Sequence, residues 1–208
     1  MTNPDVVDVQ FPVRGRAIPQ DYADLLEQQV SGALPWLRDD AAAGIHPISG
    51  LSPGAGEWYV SRRSALTLRV RQARAAETIL LAEKRFSFAG SEVVLGEPVV
   101  RGLSFSPVIY AKFVAMRPAG GDPIDEVAFL AACLAEFERR GIQPKMVCGK
   151  PQRARTSGGL LSGFSLMLYD LETEANLQLQ YEGLGNERKR GCGIFVPHKS
   201  GALAGTLE

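Results

Sequence analysis

Hydrophobic and polar positions alternate along Val6 to Gly15, VVDVQFPVRG, and a period of two in a valine-rich run predicts a half-buried strand. From Pro19 the period lengthens. Tyr22, Leu25, Leu26, Val30 and Leu34 recur at three- and four-residue spacing, so a helix is expected to start at Pro19 and stop before Pro35 and Trp36. GIHPISGLSPGAGEW, Gly44 to Trp58, is rich in turn residues, and the stretch from Gly44 to Arg63 is irregular enough to hide or displace a strand. A strand is expected over Ser64 to Gln72 and a short helix over Ala75 to Lys84. Two strand-like runs follow around a turn at Ala89-Gly90-Ser91.

The pattern then begins again. VIYAKFVAM, Val108 to Met116, reads as a strand. A break at Pro118 and Gly121 and cap signals at Asp122 and Asp125 precede IDEVAFLAACLAEFERRG, the strongest helical pattern in the chain, which Gly141 closes. Lys145–Thr156 and Leu160–Leu171 read as strands joined by Ser157-Gly158-Gly159. A short helix follows from Thr173 with its own glycine stop, and Cys192 to His198 is expected to form a last strand. Each half therefore reads strand, helix, strand, strand, helix, strand. That order predicts an α+β fold of tandem ferredoxin-like (RRM-like) βαββαβ domains, residues 1–104 and 105–208, divided near Ser104 to Pro107.

Composition narrows the function classes. The 208 residues are 45% hydrophobic, enough for a globular core. Twenty-three basic residues balance 23 acidic ones, which excludes a uniformly basic coat for nucleic acid but not a local basic surface. Three basic clusters stand out: Arg62, Arg63, Arg69, Arg71 and Arg74; Lys150, Arg153 and Arg155; and Arg188, Lys189 and Arg190. Cys133, Cys148 and Cys192 form no CxxC pair, so neither a disulfide framework nor a zinc site is expected. No metal and no cofactor are expected. A reducing cytoplasmic location fits, since the first residues lack a signal-peptide core and no apolar run could cross a bilayer.

The most distinctive stretch is GLGNERKRGCGIFVPHKS, Gly183 to Ser200. A phosphate-binding P-loop needs glycines between a strand and a helix, and here they follow a helix and precede a strand. The dinucleotide fingerprint fails on the same order and lacks its third glycine. Glycines do permit close approach to a phosphate backbone, and the adjacent cations supply the charge that drives nucleic-acid affinity.

FPVRGRAIP (Phe11–Pro19), GIHPISG (Gly44–Gly50) and GLGNERKRGCGIFVP together resemble segments of the CRISPR-associated repeat-processing endoribonucleases, within the wider repeat-associated RNA-binding superfamily. The resemblance spans nearly the whole chain and also implies two ferredoxin-like domains. It implies a metal-independent RNase that cuts precursor CRISPR RNA within the repeat hairpin, leaving a 5′-hydroxyl and a 2′,3′-cyclic phosphate. It further implies repeat RNA as partner and retention within a CRISPR interference complex with other subunits. A non-catalytic RNA-binding subunit of the same superfamily is the alternative.

In that chemistry the ribose 2′-oxygen attacks the adjacent phosphorus and the 5′-oxygen leaves. Histidine suits the proton transfers, and Arg or Lys offsets the phosphorane charge. There are two histidines. His46 is the catalytic candidate, because the family places its histidine in or just after the first helix. His198 is second. Tyr22, Ser49, Ser61 and Arg62 are open candidates for the other group, while Asp24 and Glu27 are expected on the solvated side of their helix. The resemblance assigns RNA contacts to Gly183, Gly185, Arg188, Lys189, Arg190, Gly191 and Gly193. Arg153, Arg155, Arg62 and Arg63 are expected to add phosphate contacts. Aromatics are 8% of the chain and no RNP-like run is present. Phe11, Phe86, Phe88, Tyr110 and Phe113 alternate as core residues would. RNA is therefore expected along helices and loops, or between the domains, instead of over aromatic sheet platforms.

Overall fold

The computed structural model of the protein describes residues 5–88, 90–116 and 123–198. Ala89, Pro118, Gly121 and Asp122, named above as turn and cap signals, lie outside them. The first half runs β1 (Val6–Gly15), β2 (Ala17–Pro19), α1 (Ala23–Ala33), β3 (Gly44–Ile45), β4 (Ser52–Pro53), β5 (Glu57–Tyr59) and β6 (Ala65–Arg71). It continues through α2 (Gln72–Ala75), a 3₁₀ segment (Ala76–Leu81), β7 (Arg85–Phe88), β8 (Ser91–Leu95) and β9 (Val99–Gly102). The second half contains β10 (Val108–Ala115), α3 (Glu126–Arg139), β11 (Lys145–Thr156), β12 (Gly159–Tyr169), α4 (Thr173–Glu182), a 3₁₀ turn (Arg188–Arg190) and β13 (Val196–Pro197).

Both halves build the same antiparallel sheet. In the first, β3, β6, β1 and β9 lie side by side, and in the second β11, β12, β10 and β13 do so. Numbered in chain order among the four strands of each set, these are strands 2-3-1-4, the ferredoxin-like arrangement. The β7–β8 hairpin is an addition that pairs with the far end of β1, and β2, β5 and β4 form a separate small sheet. Each sheet turns its apolar alternation inward. Val7, Val9, Phe11, Leu66, Leu68 and Ile45 share one core with Leu26 and Val30 of α1. Ile109, Ala111, Leu166 and Leu168 share another with Phe129, Cys133 and Phe137, one stripe of α3. These separate cores support our proposal that each half is a domain, divided near Ser104 to Pro107.

Several expectations shift for identifiable reasons. Pro19 ends β2 instead of starting the helix, which begins at Ala23 without a side-chain cap. The segment expected as one helix over Ala75 to Lys84 splits into a single α turn and a 3₁₀ run. Gly44 to Arg63 does hide strands, and the crucial one, β3, is only Gly44–Ile45. The last strand shrinks to Val196–Pro197, because Gly191 and Gly193 take positive φ and hold the chain before it in an irregular path. In α3, Asp125 accepts the Ala128 N–H at 2.8 Å, as its cap position requires.

Candidate active site between the two units

The open face of the first sheet carries the residues that alternate out of its core. Asp8 on β1 faces Arg69 on β6, and Gly44 of β3 sits on the other side of Arg69. His46 follows β3, and its backbone N–H donates to Thr67 O at 2.9 Å. The short strand thereby delivers His46 beside Asp8: Nε2 lies 3.6 Å from Asp8 Oδ1. That is an ion-pair distance, longer than a hydrogen bond. His46 is 9% exposed, and Nε2 has no hydrogen-bond partner among the described residues. Burial lowers the pKa of its imidazole; the Asp8 carboxylate opposes this, and the Arg69 charge reinforces it.

Arg69 is fully buried and joins the two units. Nε and Nη2 donate to the two Asp8 oxygens, each at 2.8 Å, while Nη1 donates to Gln180 O and Phe195 O, each at 2.7 Å. Burial alone would raise the Asp8 carboxyl, but this bidentate guanidinium overrides it and holds Asp8 well below the usual carboxylate range.

The glycine-rich loop meets the GIHP segment in space. A Cβ on Gly191 would stand 2.8 Å from Pro47 Cγ, and its φ is +83°, so glycine alone fits against the residue after His46. Every cation of the loop reaches the first unit. Arg188 Nη2 donates to Tyr181 O at 2.8 Å and to Ala42 O at 3.2 Å, and burial lowers its pKa to about 10. Lys189 Nζ donates to Arg38 O. Arg190 bonds Asp24 and also Glu187 at 2.5 Å, with Glu27 at 3.9 Å. Asp24 and Glu27 are thus the receptors for Arg190, not a solvated helix face. The N–H groups of Gly183, Gly191 and Gly193 donate to Leu179, Arg188 and Phe113 carbonyls, which leaves exposed Gly185 as the glycine at the surface of the loop. Arg188, Lys189 and Arg190 thus tie the loop to the first unit, beside His46.

A cleft of about 470 Å³ opens between the units, and His46, Tyr22, Trp58, Tyr110, Lys112 and Gly191 are among its walls. Tyr22 Oη accepts the Ile48 N–H at 2.9 Å, and burial pushes its phenol up to about 12 against that bond. Ser49 and Ser61 direct their hydroxyls to the Ala65 and Gly50 carbonyls. Arg62 and Arg63 are exposed on the turn that Ser61 and Ser64 tie to Gly50, itself a lining residue of the cleft. Arg153 and Arg155 are exposed on β11, whose hairpin tip reaches α1 through Ser157 N–H to Asp24 Oδ2, 2.5 Å. His198 is not among the cleft's lining residues but meets one of them, edge-on to Tyr110 at 5.6 Å between ring centres.

Sequence reasoning singled out neither Asp8, Trp58 nor Lys112, and placed Arg69 in a surface cluster and Tyr110 in the core. An acid in VVDV and a base in TLRV, each at an out-of-core position of strands that pair, was the available signal for Asp8 and Arg69. Trp58 and Lys112 belong to different units, and one-dimensional pattern carries nothing that joins them. Among the described residues, no group of three or more His, Cys, Asp and Glu is placed to hold a metal ion, and no helix is long and apolar enough to cross a membrane.

The family described as Cas6 CRISPR matches residues 7–200. The CRISPR-associated endonuclease Cas6 of Myxococcus xanthus (strain DK1622) is 32% identical over 191 residues, covering 92% of this chain and 81% of the relative. Among solved structures, the product of a Cas6-related gene from Pyrococcus furiosus superposes with a TM-score of 0.69 at 14% identity, covering 94% of this chain and 99% of that one. Thermus thermophilus Cse3, solved with an RNA representing a pre-cleavage complex, superposes with a TM-score of 0.55 at 11% identity, covering 92% and 98%. At those identities the superpositions speak for the fold. The family match and the Myxococcus relative, each spanning most of the chain, show that the protein belongs to the Cas6 CRISPR family.

Proposed function

We propose that the protein is an endoribonuclease that processes precursor CRISPR RNA within its repeat hairpin, using His46 for proton transfer and no metal ion. The observation that carries this reading is the position of His46: buried in the wall of the inter-unit cleft, with Nε2 held 3.6 Å from the Asp8 carboxylate. Its lowered pKa keeps the imidazole neutral near pH 7, ready to take the 2′-hydroxyl proton. The resulting oxyanion attacks phosphorus, and the 5′-oxygen departs with a proton. Tyr22 is the candidate for that donation, as a protonated phenol lining the same cleft as His46. The products are a 2′,3′-cyclic phosphate and a 5′-hydroxyl. Arg62, Arg63, Arg153, Arg155 and exposed Gly185 would meet the phosphate backbone, while Arg188, Lys189 and Arg190 keep the loop seated.

Incubation of the protein with its cognate repeat RNA in EDTA, with mapping of the ends, tests this. Cleavage that persists with cyclic-phosphate ends and falls at least about 100-fold in His46→Ala is the expected result. Wild-type rates in His46→Ala would remove the histidine from the mechanism. Tight binding without cleavage by the wild-type protein would make it a non-catalytic RNA-binding member of its family.

A further inference from the structure

We propose that Trp58 and Lys112 form a single-nucleotide subsite beside His46, where the indole stacks one unpaired base and the ammonium takes that nucleotide's phosphate. The inference rests on the reading that the cleft receives RNA, and it adds what holds the strand there. Trp58 lies on β5 of the small sheet, opposite Ile18 and Pro53, and packs on the core of the first unit. Its ring is therefore fixed before any ligand arrives. Lys112 comes from β10 of the second unit, exposed, with its Nζ 5.9 Å from the centre of the Trp58 ring. Both line the cleft that holds His46, and among the described lining residues Lys112 is the one lysine or arginine and none is acidic. The cleft thus offers an aromatic face and a single uncancelled cation, which are the two parts a nucleotide needs.

The contact between them does not close the site. A lysine over a ring still open to water on one face, as half-buried Trp58 is, holds by a factor of about 2 to 5. A base stacked on such a ring gains about 5- to 150-fold. The base therefore wins the ring face, and the displaced ammonium, one residue's reach away, turns to the phosphate. About 470 Å³ suits a nucleotide and not a duplex. The occupant must then be a base outside the stem, since bases within an A-form stem stack on one another. Because the two groups come from different units, the subsite also depends on the spacing that Arg69 sets between them.

The test uses cognate repeat RNA made uncleavable by a 2′-deoxy substitution at the cut nucleotide, so binding is read independently of His46. Abasic sites are placed one at a time on each side of the cut, and 2-aminopurine is used at the same positions. The wild-type protein should lose about 5- to 150-fold in affinity at one abasic position and quench 2-aminopurine there. Trp58→Leu should lose the same factor on intact RNA and nothing further at that position, with Trp58→Phe recovering most of it. Lys112→Gln should lower the slope of log affinity against log salt by about 1. If no abasic position costs the wild-type protein as much as 5-fold, the subsite is wrong, whatever Trp58 variants do to folding. If an abasic cost appears but adds fully to Trp58→Leu, the base stacks elsewhere and the subsite is equally wrong. Neither result touches the cleavage assay with His46→Ala, which stands or falls separately.

Discussion

Replacing Arg69 with methionine should uncouple the two units and unsettle the site together. The change keeps much of the side-chain volume and removes four hydrogen bonds, two to Asp8 and two to the Gln180 and Phe195 carbonyls. Asp8, with its side chain only 20% exposed, loses its bidentate partner and keeps only His46 at 3.6 Å, a loss of about 3–5 kcal/mol when a buried pair is broken. Each orphaned carbonyl adds about 1–3 kcal/mol unless water enters to solvate it. Water reaching the opened junction offsets part of this, so the net expectation is about 4 kcal/mol. Urea unfolding measures it, as a shift in midpoint at near-constant slope if the chain still unfolds as one unit. The double variant Asp8→Leu/Arg69→Met should recover at least half of the loss, because the stranded charge is gone. A loss below about 1 kcal/mol for Arg69→Met, or a double variant as unstable as the sum of the singles, would refute the clamp.

The pH dependence of single-turnover cleavage follows from His46, whose folded pKa lies below its ordinary 6.5. As a base it works deprotonated, so the rate should hold as pH falls through 6.5 and decline only at more acid pH; a decline centred above 6.5 would contradict its burial. The same shift makes stability fall with pH below 6.5, where the unfolded chain binds the proton more readily than the folded one, and urea midpoints at pH 7 and 5.5 check this. For RNA binding, Arg153→Ala/Arg155→Ala should reduce the salt slope by about 2, whereas Arg190→Ala, already paired with Asp24 and Glu187, should change stability more than slope. Gly191→Ala should cost about 1–3 kcal/mol from its positive φ and the Pro47 contact, and should slow cleavage more than it weakens binding, as His46 is displaced.

Local pattern alone determined the long elements of this protein. The period of two in Val6–Gly15 and the stripe of Phe129, Cys133 and Phe137 each need only their own segment to declare a buried face, and in the second half the order of such elements is enough for the ferredoxin-like topology. Motif resemblance in GIHPISG and the glycine-rich loop pointed at His46 and at a loop that matters. Tertiary structure decided the rest. The two-residue strand before His46 exists because β6 offers it a partner, and no window of its own sequence predicts so short a pairing. In one dimension the Arg188–Lys189–Arg190 run reads as a set of RNA contacts; only the folded chain shows that Asp24, Glu27 and the Ala42 and Arg38 carbonyls of the first unit also meet it. The cleft itself, with His46 and Trp58 from one unit facing Lys112 from the other, arises from long-range contacts, which sequence periodicity does not encode because it reports a residue's own face and not what lies opposite.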